Sequence, residues 1–252
     1  EISECLVGSE MCIRDRNMAA RMEQKQKELY HAHAQRLALM LQNQTEEEFA
    51  DSRFQVLSEL TRLRQLCCDP ALVYENYEGG SAKLDLCIEL IQSAVESGHK
   101  ILLFSQFTSM IEILTARLQE ESISCFVLQG STKKEQRAQM VEQFNRDDTS
   151  VFCISLKAGG TGLNLTGADI VIHYDPWWNV AVENQATDRA HRIGQKNVVT
   201  VYKLIAKGTI EEKIIKLQQM KKELAEEILS GDEIKTASFQ REELLELLEE
   251  RF

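Results

Sequence analysis

Proline is scarce, with two residues in 252, which argues against a disordered or loop-rich chain. No apolar run approaches the roughly 20 residues a membrane-spanning helix needs. The N-terminus has no basic stretch leading into an apolar one, so no secretory signal is read. No CxxC pair occurs among Cys5, Cys12, Cys67, Cys68, Cys87, Cys125 and Cys153. Their number is odd, and the adjacent Cys67 and Cys68 suit neither a zinc site nor an easy disulfide. Reduced thiols of a cytosolic protein are the reading that remains. The HxH of His31 and His33 falls in a helical stretch, where neighbours two apart do not face each other, so no metal site is read. Also missing are a GxxxxGK[ST] phosphate loop and a DExH tetrapeptide. Nothing here cradles β- and γ-phosphates in the manner of a Walker A loop.

What is present is ordinary for a globular domain: 43% hydrophobic and 27% charged residues, over a length that supports one sizeable core and an appendage. The net charge of −11 and pI near 5.1 count against a simple polyanion binder. The charge is uneven, however. Residues 1–99 hold 10 basic and 17 acidic side chains, residues 100–210 hold 12 and 11, and residues 211–252 hold 7 and 12. The acidity sits at the two ends, and the balanced centre leaves room for a local basic groove.

Residues 1–16 follow no period and read as a non-native leader, a translated adapter or cloning remnant. Residues 17–80 read as a helical region. Its first helix spans about 18–41, rich in good helix formers. Its second spans 46–65, with Phe49, Val56, Leu60 and Leu63 on one face. Asp69-Pro70 stops it, and 74–80 is a linker. From residue 81 to 209 the texture changes. Short apolar runs at 101–105, 124–128, 151–155, 170–174 and 198–205 are read as strands. Helical stretches at 108–119, 133–145 and 180–192 separate them. That alternation predicts an α/β fold with a parallel sheet covered on both faces, and function on loops at the carboxyl ends of the strands. Residues 210–252 form a long helix and an acidic helical tail.

Three segments at these strand ends carry chemistry. Phe104-Ser105-Gln106-Phe107-Thr108 puts small polar side chains where a strand meets a helix, fit for phosphate contact or for capping by Thr108. Ser155 to Leu165 (SLKAGGTGLNL) has three glycines in four positions, so its backbone N–H groups can approach an anion closely, or it is a tight turn. Gln185 to Gln195 (QATDRAHRIGQ) sets Arg189 and Arg192 three apart, on one face if helical. They form either a pair of guanidinium forks for a phosphate or a solvated basic helix end.

In order and wording these segments resemble motifs IV, V and VI of superfamily-two helicase-like motors. Asp175-Pro176-Trp177-Trp178-Asn179 and the full QATDRAHRIGQ run are worded like the Swi/Snf branch. Leu63 to Pro70 (LRQLCCDP) and Ser81-Ala82-Lys83 are similar to that family's lead-in to its second lobe. Gly130-Ser131-Thr132 and the strand through His173 follow its pattern too. The resemblance runs from about Met18 to Ser230. One departure is Val180, where the family has a proline that presets the first helical turn.

The resemblance implies the three-layer, RecA-like second lobe of an ATP-driven double-stranded-DNA translocase. A helical region stands before that lobe and a brace helix after it. The first lobe, with the phosphate loop and the Mg2+ site, is missing. Within the lobe, Arg192 is the implied arginine finger and Arg189 its γ-phosphate partner. Gln185, Gly160, Gly162 and Asn164 border the ATP. Ser105, Gln106, Gly130, Ser131, Lys157 and Thr161 grip one DNA strand. Trp178 is either near the DNA or a core residue. Such motors move along duplexes without separating the strands. The implied partners are double-stranded DNA, the first lobe, and RNA polymerase or another DNA-bound protein. No membrane is involved, and the location is the bacterial nucleoid or a nucleus. An RNA helicase lobe is the alternative within the superfamily, against which DPWWN and AHRIGQ weigh. A non-catalytic scaffold is the alternative outside it.

Overall fold

A computed structural model describes residues 13–156, 158, 163–191, 195, 197–227 and 241–248. Its centre is a six-stranded, all-parallel sheet of order β1-β6-β5-β2-β4-β3. The strands are β1 (Ile13–Ala20), β2 (Ile101–Ser105), β3 (Cys125–Leu128), β4 (Val151–Ser155), β5 (Ile170–His173) and β6 (Val199–Ala206). The helices are α1 (Gln24–Gln42), α2 (Glu46–Cys68), α3 (Ala82–Glu96), α4 (Thr108–Glu120), α5 (Lys134–Arg146), α6 (Val180–Thr187), α7 (Ile210–Glu227) and α8 (Arg241–Leu248).

Three central strands, β2, β4 and β5, are buried at every position, as expected where helices cover both faces of a parallel sheet. Alternation along β2 divides the core. Leu103 joins Ile88 and Ile91 of α3 and Ile111 and Leu114 of α4 on one face. Leu102 and Phe104 join Phe144 of α5 and Ala186 of α6 on the other. A third cluster lies outside the sheet, where Leu37, Leu41, Leu60 and Leu63 of α1 and α2 meet Ile210 and Ile214 of α7 and Leu244 and Leu247 of α8.

The helical region is built by local signals. Thr45 opens α2 with a capping box, its hydroxyl accepting from the Glu48 N–H while Glu48 reaches back to the Thr45 N–H, which satisfies two end donors at once. Asp69 ends α2 and accepts from the Ala71 N–H at 2.8 Å. The chain then returns to the lobe. The Ser81 hydroxyl caps α3 and donates to the Cys68 carbonyl at 2.7 Å.

Two expectations change here. The segment set aside as a leader reaches into the sheet: residues 13–16 belong to β1, paired in parallel with β6 from Ile13↔Val199 to Ala20↔Ala206. The helix expected from Met18 therefore begins at Gln24, and Met18 to Ala20 are strand. A helix also occupies 82–96, to which the sequence reading assigned no element. Residues 1–12 lie outside the described residues.

Candidate nucleotide and nucleic-acid site

At the carboxyl edge of the sheet, β2 ends in Ser105 and β5 leads into Asp175. The Ser105 hydroxyl donates to Asp175 Oδ1 at 2.6 Å, and the Gln106 N–H lies 3.3 Å from both carboxylate oxygens. Ser105 is fully buried. Ser105, which the resemblance assigns to DNA, has its hydroxyl bonded to Asp175 and accepts from the Phe107 N–H at 3.2 Å. Burial pushes the Asp175 carboxyl up, opposed by the Arg64 guanidinium and the Ser105 hydrogen bond.

The DPWW turn is held from outside the sheet by three helices. Lys83 Nζ of α3 donates to the Tyr174 carbonyl at 3.3 Å. Arg64 Nη2 of α2 donates to the Pro176 carbonyl at 2.5 Å. Gln218 Nε2 of α7 donates to the Trp177 carbonyl. Arg64 also donates from Nη1 to Gln106 Oε1 at 2.8 Å. Its guanidinium lies 5.5 Å from the Trp177 ring and 5.7 Å from the Trp178 ring, within cation–π range. Trp178 is half-buried and packs on the helical cluster.

The loop after β3 exposes Gly130 and Ser131 on the same edge. Arg137 of α5 organises it, donating to the carbonyls of Gln129, Gly130 and Thr132 at 3.2, 3.2 and 2.8 Å. It reaches Ala158 in the glycine-rich segment as well, at 3.2 Å. A side chain at Gly130 would meet nothing within 4 Å, so the loop is open to a ligand.

From Leu163 the described chain lies at the other edge of the sheet. Asn164 is exposed, and its carbonyl accepts from Asn145 Nδ2 at 2.8 Å, at the end of α5. The Leu165 N–H donates to the Arg189 carbonyl at 3.0 Å. Gln195 Nε2 ties the carbonyls of Ala168, Thr166 and Ala190 at 2.7, 3.3 and 3.3 Å. Gln185 is exposed and Arg189 is buried at this amino edge. Of the described residues assigned to DNA, Gln106, Gly130 and Ser131 lie at the carboxyl edge, while Asn164 and Arg189, assigned to ATP, lie at the amino edge.

The helix expected over 180–192 is shorter. Helix α6 stops at Thr187, and the Arg189 and Ala190 N–H groups bond three residues back, to Ala186 and Thr187. The helix has tightened into turns, so Arg189 is not on a helical face. Lys157, Gly160, Thr161, Gly162 and Arg192 lie outside the described residues. The donors present, a guanidinium at Arg189 and an amide at Gln185, fit an acceptor-rich anion such as a polyphosphate. Among the described residues, no group of three His, Cys, Asp or Glu could hold a metal ion.

Behind the site lie buried charges. Lys83 Nζ meets Glu211 at 2.6 and 2.7 Å, with both side chains enclosed. Burial disfavours the ammonium, but the Glu211 carboxylate outweighs it and holds Lys83 above its ordinary pKa. The Ala206 N–H gives Glu211 a further donor at 2.8 Å. Glu183 of α6 pairs with Lys203 at 2.6 Å and accepts from the Trp177 N–H and Gln218. Burial raises Glu183, yet His173 and Lys203 bring it below its ordinary value. His173 is stacked on Phe104 and 3.1 Å from the Thr187 hydroxyl. Burial pushes its pKa down to about 4, so it is neutral at pH 7 and is a core residue.

Sequence reasoning missed Arg64, Lys83, Arg137 and Gln218. Each holds backbone carbonyls of the site from another element; Arg64 and Lys83 stood in quoted motifs, but without a role at the site.

Residues 82–194 match the family model of the helicase conserved C-terminal domain. The putative ATP-dependent helicase/translocase YwqA of Bacillus subtilis is 45% identical over 184 residues, 70% of this chain and 20% of that protein. The chain spans about a fifth of the length of the curated relatives it first matches. The Sulfolobus solfataricus SWI2/SNF2 ATPase C-terminal domain superposes with a TM-score of 0.75 and 30% identity, over 95% of this chain and all of that one. The core of the S. solfataricus ATPase in complex with double-stranded DNA gives 0.73 and 32%, over 86% of this chain and 46% of that one. A parallel α/β sheet, the motif order along its edges and a full-length match to that C-terminal domain lead to one assignment: the chain belongs to the Swi/Snf-type superfamily-two helicases, as their C-terminal, RecA-like lobe.

Proposed function

We propose that this chain is the second motor lobe of an ATP-driven double-stranded-DNA translocase, inactive until a first lobe closes on it. The observation that carries the reading is where the two described ends of the glycine-rich segment lie. Near its start, Arg137 holds Ala158 together with the exposed Gly130 loop. At its end, Leu165 is bonded to Arg189. The two contacts thus stand near the two ends of one segment of the chain, Ala158 at one edge and Leu165 at the other.

Bound ATP supplies the phosphoanhydride whose cleavage drives the cycle. Arg192 acts as the finger that neutralises developing charge, worth roughly 10³–10⁵ in rate, with Arg189 beside it. Gln185, Gly160, Gly162 and Asn164 border the nucleotide, and Mg2+ is held by the first lobe. Gln106, Gly130, Ser131, Lys157 and Thr161 contact the DNA backbone, so binding is independent of base sequence and weakens with salt. A relative is solved with double-stranded DNA, which favours duplex over RNA as the track. The cargo is a DNA-bound protein, RNA polymerase among them, in a nucleoid or nucleus.

The test is to join this chain to the first lobe of a relative and measure ATP turnover with duplex DNA, with RNA and with neither. Stimulation by the duplex is expected. A folded, ATP-binding fusion whose turnover ignores DNA would leave the scaffold reading in its place.

A further inference from the structure

Arg64 stands in α2, outside the matched helicase domain of residues 82–194. It is nevertheless buried against the DNA-facing edge, 5% exposed. Its three polar contacts there are Gln106 Oε1, the Pro176 carbonyl and, at 3.8 Å, the Asp175 carboxylate. The contact with Gln106 has a chemical consequence. A guanidinium only donates, so the Gln106 side chain must turn its oxygen to Arg64. The amide nitrogen is left over, and it has no hydrogen-bond partner among the described residues. A buried N–H without a partner is costly, and an incoming acceptor relieves that cost. Phosphate oxygens are acceptors only.

We propose that Arg64 is a positioning residue for DNA: by holding Gln106 Oε1 it presets the Gln106 amide as a donor to the phosphate backbone, so the helical region sets the lobe's grip on DNA without touching it. The inference rests on the reading that this edge meets DNA. Lysine would not replace Arg64, because a point charge cannot serve the Gln106 oxygen and the Pro176 carbonyl with one planar fork.

The experiment is a double-mutant cycle on the 252-residue chain, reading affinity for a fluorescently labelled duplex across a salt series. Thermal unfolding of each variant is recorded beside it. Arg64→Met and Gln106→Ala are each expected to weaken binding by about tenfold, the scale of a hydrogen bond to a charged group. The double variant is expected to lose the same tenfold rather than a hundredfold. The slope of log affinity against log salt should stay at the wild-type value, since Arg64 itself neutralises no phosphate. If Arg64→Met fails to fold, Arg64→Lys is read instead, with the same loss expected. Losses that multiply in the double variant would overturn the inference. So would a salt slope reduced by about one phosphate contact, which would make Arg64 a direct ligand. A wild-type chain with no affinity for DNA would sink the function reading and this inference together, whereas multiplicative losses in a chain that binds DNA sink this inference alone.

Discussion

Removing Lys83 should unfold this lobe more readily than removing any surface charge. Lys83 and Glu211 are 1% and 0% exposed. Their contact joins the start of α3 to the start of α7. In Lys83→Met the Glu211 carboxylate keeps only the Ala206 N–H, buried and without a counter-charge. Breaking one side of a buried ion pair costs about 3–5 kcal/mol. At about 2–4 °C per kcal/mol for a chain of this size, the melting temperature should fall by about 6–20 °C. The double variant Lys83→Met, Glu211→Leu removes the stranded charge and should recover most of the loss. It should stay within about 2 kcal/mol of wild type, short by the unpaired Ala206 N–H and Tyr174 carbonyl. The sign with pH is also fixed. A lysine raised above its ordinary pKa keeps its full contribution below about 10.4, but in Lys83→Met the burial that raises Glu211 is no longer opposed by Lys83, so Glu211 takes up a proton more readily and the deficit should be no larger at pH 6 than at pH 9. Urea unfolding followed by circular dichroism at both pH values reads all of this. A double variant as unstable as Lys83→Met would refute the stranded-charge reasoning.

Other consequences follow from the same contacts. His173, neutral with a pKa of about 4 against about 6.5 when unfolded, contributes stability that is present above pH 6.5 and lost as pH falls towards 4. The loss should reach about 3 kcal/mol, and urea titrations of His173→Phe should show a flatter pH dependence. Glu183, held below its ordinary pKa, adds to the loss in the same direction. Arg137→Ala should speed amide exchange at Thr132, whose N–H bonds the Gln129 carbonyl, and cost about 1–3 kcal/mol; unchanged exchange would mean that the loop holds itself. Gln195→Ala should loosen residues 165–168 by hydrogen exchange while β2 and β4 keep their protection.

The sheet was legible in the sequence where burial is two-sided. Residues 101–105 and 151–155 are unbroken apolar runs ending in serine, and the strands have those bounds. β1 was not legible. Its sequence, IRDRNMAA, alternates no apolar face, and among its described side chains only Ala20 is buried. It is a strand because β6 has an open edge to pair with. α3 did carry a signal that went unused: Cys87, Ile88, Ile91 and Ala94 repeat at helical spacing. For the site, glycine and arginine motifs located the loops, but not which edge each loop faces: Ser155 and Leu165 belong to one run and lie at opposite edges. Arg64, Lys83 and Gln218 find partners 41 to 128 residues away, and separations of that kind leave no local pattern to read.

The central claim, that this lobe completes an ATPase driven by DNA, is tested most directly by one substitution. In a fusion with a relative's first lobe, ATP turnover is measured at saturating duplex DNA for wild type and Arg192→Ala. The account predicts a loss of about 10³-fold or more, with duplex affinity unchanged. Equal turnover in the two proteins would contradict it.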